Sequence, residues 1–86
     1  MDLDFIAEML ERYLEHLKTV EIAINRNIET YEKQINELER LVKFKPQVYE
    51  KELEKVQNKI KEADIKLSHI VPRMQRIEEH LKIMKI

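Results

Sequence analysis

The chain has 86 residues, of which 38% are charged, and its formal net charge is −1. It contains no cysteine, no glycine and only two prolines, Pro46 and Pro72. The missing cysteines exclude a disulfide framework and thiolate chemistry. The missing glycines disfavour tight hairpin turns and phosphate-binding loops, and with them strand-rich folds. We therefore expect one all-α domain that covers residues 1–86.

The first helix is predicted to span about residues 3–43 and to begin at Asp2 or Asp4, whose carboxylates can cap free amides. Its apolar residues recur at gaps of three and four, as in a coiled coil. They are Leu3, Ile6, Leu10, Tyr13, Leu17, Val20, Ile24, Ile28, Tyr31, Ile35, Leu38 and Val42. Two successive gaps of four, from Val20 to Ile24 to Ile28, predict a stutter that locally unwinds the supercoil.

A short turn is predicted at about residues 44–47, because proline is excluded from helix interiors but favoured at the first helical position. Lys45, which precedes Pro46, should leave helical geometry. So short a connection makes the two helices antiparallel neighbours. The candidate partner-docking tip here consists of Phe44, Pro46, Val48 and Tyr49. The alternative is that Val48 or Tyr49 closes the end of the helix pair and Phe44 folds over it.

The second helix is predicted over about residues 47–85, where the gaps alternate between four and three throughout. Its stripe is Tyr49, Leu53, Val56, Ile60, Ala63, Leu67, Ile70, Met74, Ile77, Leu81 and Met84. In antiparallel alignment, Val42 meets Tyr49 and Leu10 meets Leu81. Pro72 lies opposite the stripe, which favours a kink on the outer face over a break into three helices. The expected fold is a long antiparallel two-helix hairpin of the coiled-coil type, with its second helix kinked at Pro72.

Apolar residues outside the stripe are concentrated in the terminal half of the hairpin, which we define as residues 1–26 and 65–86. Helices with such a widened stripe face more than one neighbour. Beyond the stutter, the register should also place like heptad positions opposite each other, so that simple two-stranded packing fails there. We therefore expect a homodimer that forms a four-helix bundle through this half. The predicted dimer interface consists of Phe5, Met9, Leu14, Ile22, Ile65, Val71 and Ile83.

The sequence offers little material for catalysis or metal binding. The three histidines are His16, His69 and His80, and none follows a glutamate at the Glu-x-x-His spacing of di-metal bundles. The one serine, Ser68, precedes His69, but adjacent residues of a helix point in different directions. We expect no catalytic residue, no metal site and no cofactor, and therefore no enzyme.

The function expected from these patterns is structural or adaptor-like, through self-association and through binding of another helical protein. The alternative is a small nucleic-acid-associated protein that contacts phosphates. Its candidate contacts are Lys51, Lys55, Lys59, Lys66, Arg73 and Arg76. Residues 1–44 hold six basic and ten acidic residues, whereas residues 45–86 hold ten basic and seven acidic ones. Attraction between the two arms is the simpler explanation of this asymmetry.

The sequence also bears on location. The first residues, Met1-Asp2-Leu3-Asp4, are acidic and do not resemble a signal peptide. No apolar run approaches the roughly 20 residues of a membrane span. We therefore expect a cytoplasmic protein without membrane contact. The abundance of Ile, Glu and Lys is also typical of thermophilic proteins.

Overall fold

The computed structural model describes residues 3–85, which form two α-helices. Helix α1 spans Leu3–Phe44 and helix α2 spans Pro46–Met84. The two helices lie side by side in a hairpin that measures 64 × 17 × 15 Å. The expected all-α antiparallel hairpin is confirmed. Asp2, one of the two candidate caps, lies outside the described residues.

The turn is a single residue, Lys45, and is therefore shorter than the predicted range 44–47. Lys45 has φ −140° and ψ 75°, outside the helical region, as expected for a residue before proline. Its backbone N–H donates to the Leu41 carbonyl at 2.9 Å, and its own carbonyl accepts from the Val48 N–H at 3.1 Å. Pro46 opens α2, where its missing N–H leaves no helical hydrogen bond unmade.

The predicted register is confirmed where the core is densest. Leu14 and Leu17 of α1 form one buried cluster with Met74, Ile77 and Leu81 of α2. The half-buried side chains that pack against this cluster are Ala7, Leu10 and Ile70. A hairpin that closes at Lys45 brings these residues to the same level. We call the line of contact between the two helices the seam. The burial of apolar side chains along the seam stabilises the pairing of the helices.

The path of the seam through the first part of α1 differs from the prediction. Leu14 is only 8% exposed, whereas Tyr13, which was predicted to lie in the seam, is 43% exposed. The seam therefore runs through Leu14, Leu17 and Ile24, with Glu21 at the position between the last two. With Glu21 included, the gaps alternate regularly along the whole helix. The predicted stutter at Ile24 is therefore wrong, because a charged residue occupies a seam position that apolar counting skips.

The prediction that two-stranded packing fails in the terminal half is also wrong. All five residues of the buried cluster lie in that half. In the turn half, residues 27–64, the buried apolar side chains among the described residues are Val56 and Ala63. Simple pairing therefore succeeds best where it was expected to fail.

Helix α2 continues through Pro72 without a break, so the three-helix alternative is wrong. Pro72 cannot donate a hydrogen bond to the Ser68 carbonyl, one turn earlier. The Ser68 hydroxyl donates to the carbonyl of Ile65 at 2.6 Å. Pro72 is exposed, while Met74 beside it is buried in the core. Packing of the inner side of α2 therefore holds the helix together across the proline.

Candidate helix-docking surface

The seam divides the hairpin surface into two sides. On one side, which we call the front face, Asn27 of α1 and Lys59 and Lys66 of α2 line a common cavity. On the other side, the back face, Oε1 of Glu11 lies 3.0 Å from Nζ of Lys85. Residues seven apart share one side of a helix that follows a heptad seam. Each face can therefore be traced along the whole hairpin.

The front face carries a second stripe on the terminal half of α1, which is apolar except for His16. Thr30 also lies on the front face, where it lines a groove near the turn. Counting back along α1 in steps of seven residues from Asn27 and from Thr30 gives the members of this stripe. They are Ile6, Met9, Tyr13, His16, Val20 and Ala23, and we call them the α1 stripe. Ile6 and Val20 are half-buried, whereas Met9 is 55% exposed. The gaps between these residues again alternate between three and four, which is the spacing that packs against a helix.

A row of basic side chains lies across the seam from the α1 stripe. Lys59 and Glu62 line the same front-face cavity. Counting forward along α2 in steps of seven residues from these two positions gives the members of the row. They are Lys66, His69, Arg73, Arg76 and His80, and we call them the α2 basic row. All five are exposed. Among the described residues of the terminal half, no acidic side chain of α2 lies at these front-face positions.

The seven residues of the predicted dimer interface do not share one face. Leu14 is buried within the hairpin and is not available to a second copy. Met9 and Ile83 lie on the front face, whereas Val71 lies on the back face, fourteen residues before Lys85. The other three, Phe5, Ile22 and Ile65, are exposed on the outer surfaces of their helices. Sequence spacing placed these residues outside the stripe, but it did not identify the direction that each one faces.

At the turn, Phe44 is 84% exposed and Val48 is also exposed, whereas Tyr49 is half-buried. Tyr49 therefore closes the end of the seam, in line with its predicted pairing. Phe44 does not fold over that end, so this part of the alternative is wrong. Phe44, Pro46 and Val48 line a cavity of about 280 Å³ with Lys45 and Gln47. The tip thus presents an aromatic side chain to solvent beside basic residues.

Five of the six predicted nucleic-acid contacts lie on the front face of α2. These are Lys55, Lys59, Lys66, Arg73 and Arg76, whereas Lys51 lies on the outer surface. Near the turn, acidic and aromatic side chains lie close to the ammonium groups of the lysines. Nζ of Lys55 lies 3.3 Å from Oε1 of Glu52, and Nζ of Lys59 lies 5.7 Å from the centre of the Tyr31 ring. The basic character is therefore strongest in the terminal half.

The histidines and the one serine are spread along the two described helices. Among residues 3–85, no three histidine or carboxylate side chains come together as a set that could hold a metal ion. The hydroxyl of Ser68 bonds to the backbone, and His16, His69 and His80 are exposed on separate turns. The front-face groove near the turn, about 570 Å³, is lined by mixed charges such as Lys33, Glu37 and Glu52.

No family model, no curated protein and no solved structure matches this chain. Neither described helix has a stretch that is apolar enough, over sufficient length, to cross a membrane.

Proposed function

We propose that the chain is a non-enzymatic structural or adaptor protein that acts through contacts between its helices and other helices. The supporting observation is the α1 stripe, which has coiled-coil spacing, lies beside the seam and faces solvent. Burial of a large apolar side chain contributes roughly 1.5–3 kcal/mol. Several such side chains together can exceed the cost of association.

Self-association is one form of this proposal. Two copies joined through their terminal halves would form the four-helix bundle expected from the sequence. Symmetric dimers are the commonest soluble oligomers. The second form is heteromeric, with a helix of another protein on the same surface.

Sedimentation velocity over a range of micromolar concentrations tests self-association directly. If two copies associate through the α1 stripe, Met9→Glu should convert a dimer into a monomer, because it places a charge in the contact. Val48→Glu is the matched control, since Val48 is also an exposed apolar residue but lies at the turn. A wild-type chain that remains monomeric overturns the homomeric form. Failure to bind the helical peptides described below as well would overturn the proposed function as a whole.

The second candidate function is nucleic-acid binding. It is favoured by five basic residues that lie on the same face of α2, namely Lys55, Lys59, Lys66, Arg73 and Arg76. Phosphate contacts of this kind weaken steeply with salt. A gel shift with duplex DNA and with RNA at low salt tests this candidate. The wild-type chain should retard the nucleic acid in the gel. The double charge reversal Arg73→Glu with Arg76→Glu should abolish this retardation. A wild-type chain that leaves both nucleic acids unshifted contradicts it.

A further inference from the structure

We infer that the front face of the terminal half binds one amphipathic helix of another protein, whose flank toward α2 is acidic. This inference rests on the proposed adaptor function and specifies the chemistry of the partner. The apolar stripe on α1 and the basic row on α2 lie side by side along the same half of the hairpin.

The apolar part of this surface has the length and the residue spacing that pack against a helix. The α1 stripe runs from Ile6 to Ala23, which is about 26 Å of helix. Its inner members, Ile6 and Val20, are half-buried against the seam, and its outer members, such as Met9, are exposed. A third helix in the groove between α1 and α2 would cover both sets at once. Such a helix needs apolar residues at gaps of three and four on one side only.

The α2 basic row determines which charge the neighbouring flank of that helix must carry. A helix seated on the α1 stripe places one flank beside Lys66, Arg73 and Arg76. Their long side chains can lie over the groove while the charged ends stay hydrated. Glutamate or aspartate on this flank would be attracted to the row, and lysine or arginine would be repelled. Charged pairs at such flanking positions commonly select helix partners.

A second copy of this chain fits the surface less well. In a two-fold symmetric contact, the same patch of both copies meets. An antiparallel contact between two α1 stripes would then bring the two α2 basic rows toward each other, including the permanently charged Arg73 and Arg76 of both copies. Like charges across an interface are unfavourable, and they serve to reject wrong partners. The basic row therefore favours a partner that differs from this chain.

A nucleic acid also fits less well. Phosphates could neutralise Lys66, Arg73 and Arg76, but they would leave the apolar side chains of the neighbouring stripe in contact with water. An amphipathic helix with an acidic flank satisfies both parts of the surface.

Two synthetic helical peptides test this inference. Both are about 21 residues long, or about 30 Å as helix, and carry the same apolar stripe and a fluorescent label. Their flanks carry glutamate in one and lysine in the other. Fluorescence anisotropy with the full-length chain at low salt should show about tenfold tighter binding of the glutamate peptide. The difference should shrink as salt is added, because these charges are exposed.

Three variants locate the binding surface. The double variant Met9→Gln with Tyr13→Gln removes apolar contacts without adding charge, and it should weaken the binding of both peptides. The reversal Arg73→Glu with Arg76→Glu should invert the preference between them. The matched control, Lys61→Glu with Lys82→Glu, changes charge equally on another side of α2 and should leave the preference unchanged. All the substituted residues are exposed, so circular dichroism should show unchanged helicity.

Equal affinity for the two peptides would overturn the inference about charge while leaving a helix-binding adaptor intact. A preference that survives the Arg73 and Arg76 reversal would overturn the assignment to the front face. A wild-type dimer that Met9→Gln with Tyr13→Gln converts into a monomer would show a second copy as the occupant and overturn the inference. Retardation of nucleic acid that depends on Arg73 and Arg76, without peptide binding, would identify the other class of partner and overturn the inference.

Discussion

The terminal half and the turn half of the hairpin share one seam but bury it to different depths. In the terminal half, apolar side chains of α1 such as Val20 flank the seam on the front face, and Leu17 is only 6% exposed. In the turn half, polar side chains such as Gln34 and Lys59 flank the seam, and Ile35 and Leu38 remain half-buried. Two helices alone cannot enclose a stripe unless neighbouring side chains cover its edges.

The same flanking residues that deepen the core also create the exposed surface. Val20 helps to cover the seam, while Met9, farther out on the same face, projects beyond it. The terminal half therefore combines the most buried core with the α1 stripe. The turn half has a shallower core and mostly polar flanks, and its exposed apolar residues gather at the tip. The half with the most buried core is therefore also the half that carries the proposed docking surface.

The largest effect should come from removing core volume in the terminal half. Leu17→Ala deletes a side chain from the buried cluster and should lower the free energy of unfolding by about 2–5 kcal/mol. Chemical denaturation followed by circular dichroism measures this loss. Leu38→Ala, which truncates a half-buried leucine of the turn half, is the comparison and should cost clearly less. Equal losses at the two sites would contradict the difference between the halves.

Pro72→Ala should stabilise the terminal half further. The substitution restores a backbone N–H that can bond to the Ser68 carbonyl, and alanine is favoured over proline inside helices by about 3 kcal/mol. Thermal unfolding should therefore show a higher midpoint. Pro46→Ala is the control, because the first helical position needs no N–H donor, and it should not stabilise the chain. A Pro72 variant no more stable than the wild type would mean that the helix already compensates for the lost bond.

Glu21→Leu tests the assignment of the seam. Glu21 is the one charged residue among residues 3–85 that is not exposed, and the register places it opposite Ile70. Leucine there should complete the apolar seam and raise the free energy of unfolding by about 1 kcal/mol. Glu15→Leu, at an exposed position of the same helix, should change stability little. A destabilised Glu21 variant would argue that Val20 alone occupies this layer.

The smallest effect on stability should come from the tip. Phe44 is largely exposed, so Phe44→Ala should change the free energy of unfolding by less than about 0.5 kcal/mol. Tyr49→Ala is the matched aromatic comparison and should cost more, because Tyr49 is half-buried. Thermal melts of both variants make the measurement. A large loss for Phe44 would mean that its ring caps the seam in solution, and it would remove Phe44 from the candidate docking tip.

Sequence patterns predicted the helices, the turn and the register, because each depends on local chemistry or on simple counting. Pro46 places the bend, since it opens a helix and pushes Lys45 out of helical geometry. Matching stripes then align Leu10 with Leu81 without any structural information. The candidate surface was only partly predictable. Met9 was identified as an apolar residue outside the seam, but the α1 stripe and its position beside the basic row were not.

What the sequence by itself determined is that two long helices pair in opposite directions from a short turn at Pro46. Only the tertiary structure decided which apolar side chains of the first part of α1 face α2. That segment carries two neighbouring stripes with the same spacing, one through Leu14 and one through Tyr13, and periodicity does not distinguish them. The choice is made by packing, because Leu14 fits into the cluster formed by Met74, Ile77 and Leu81. The stripe through Tyr13 is left on the surface, where a partner can reach it.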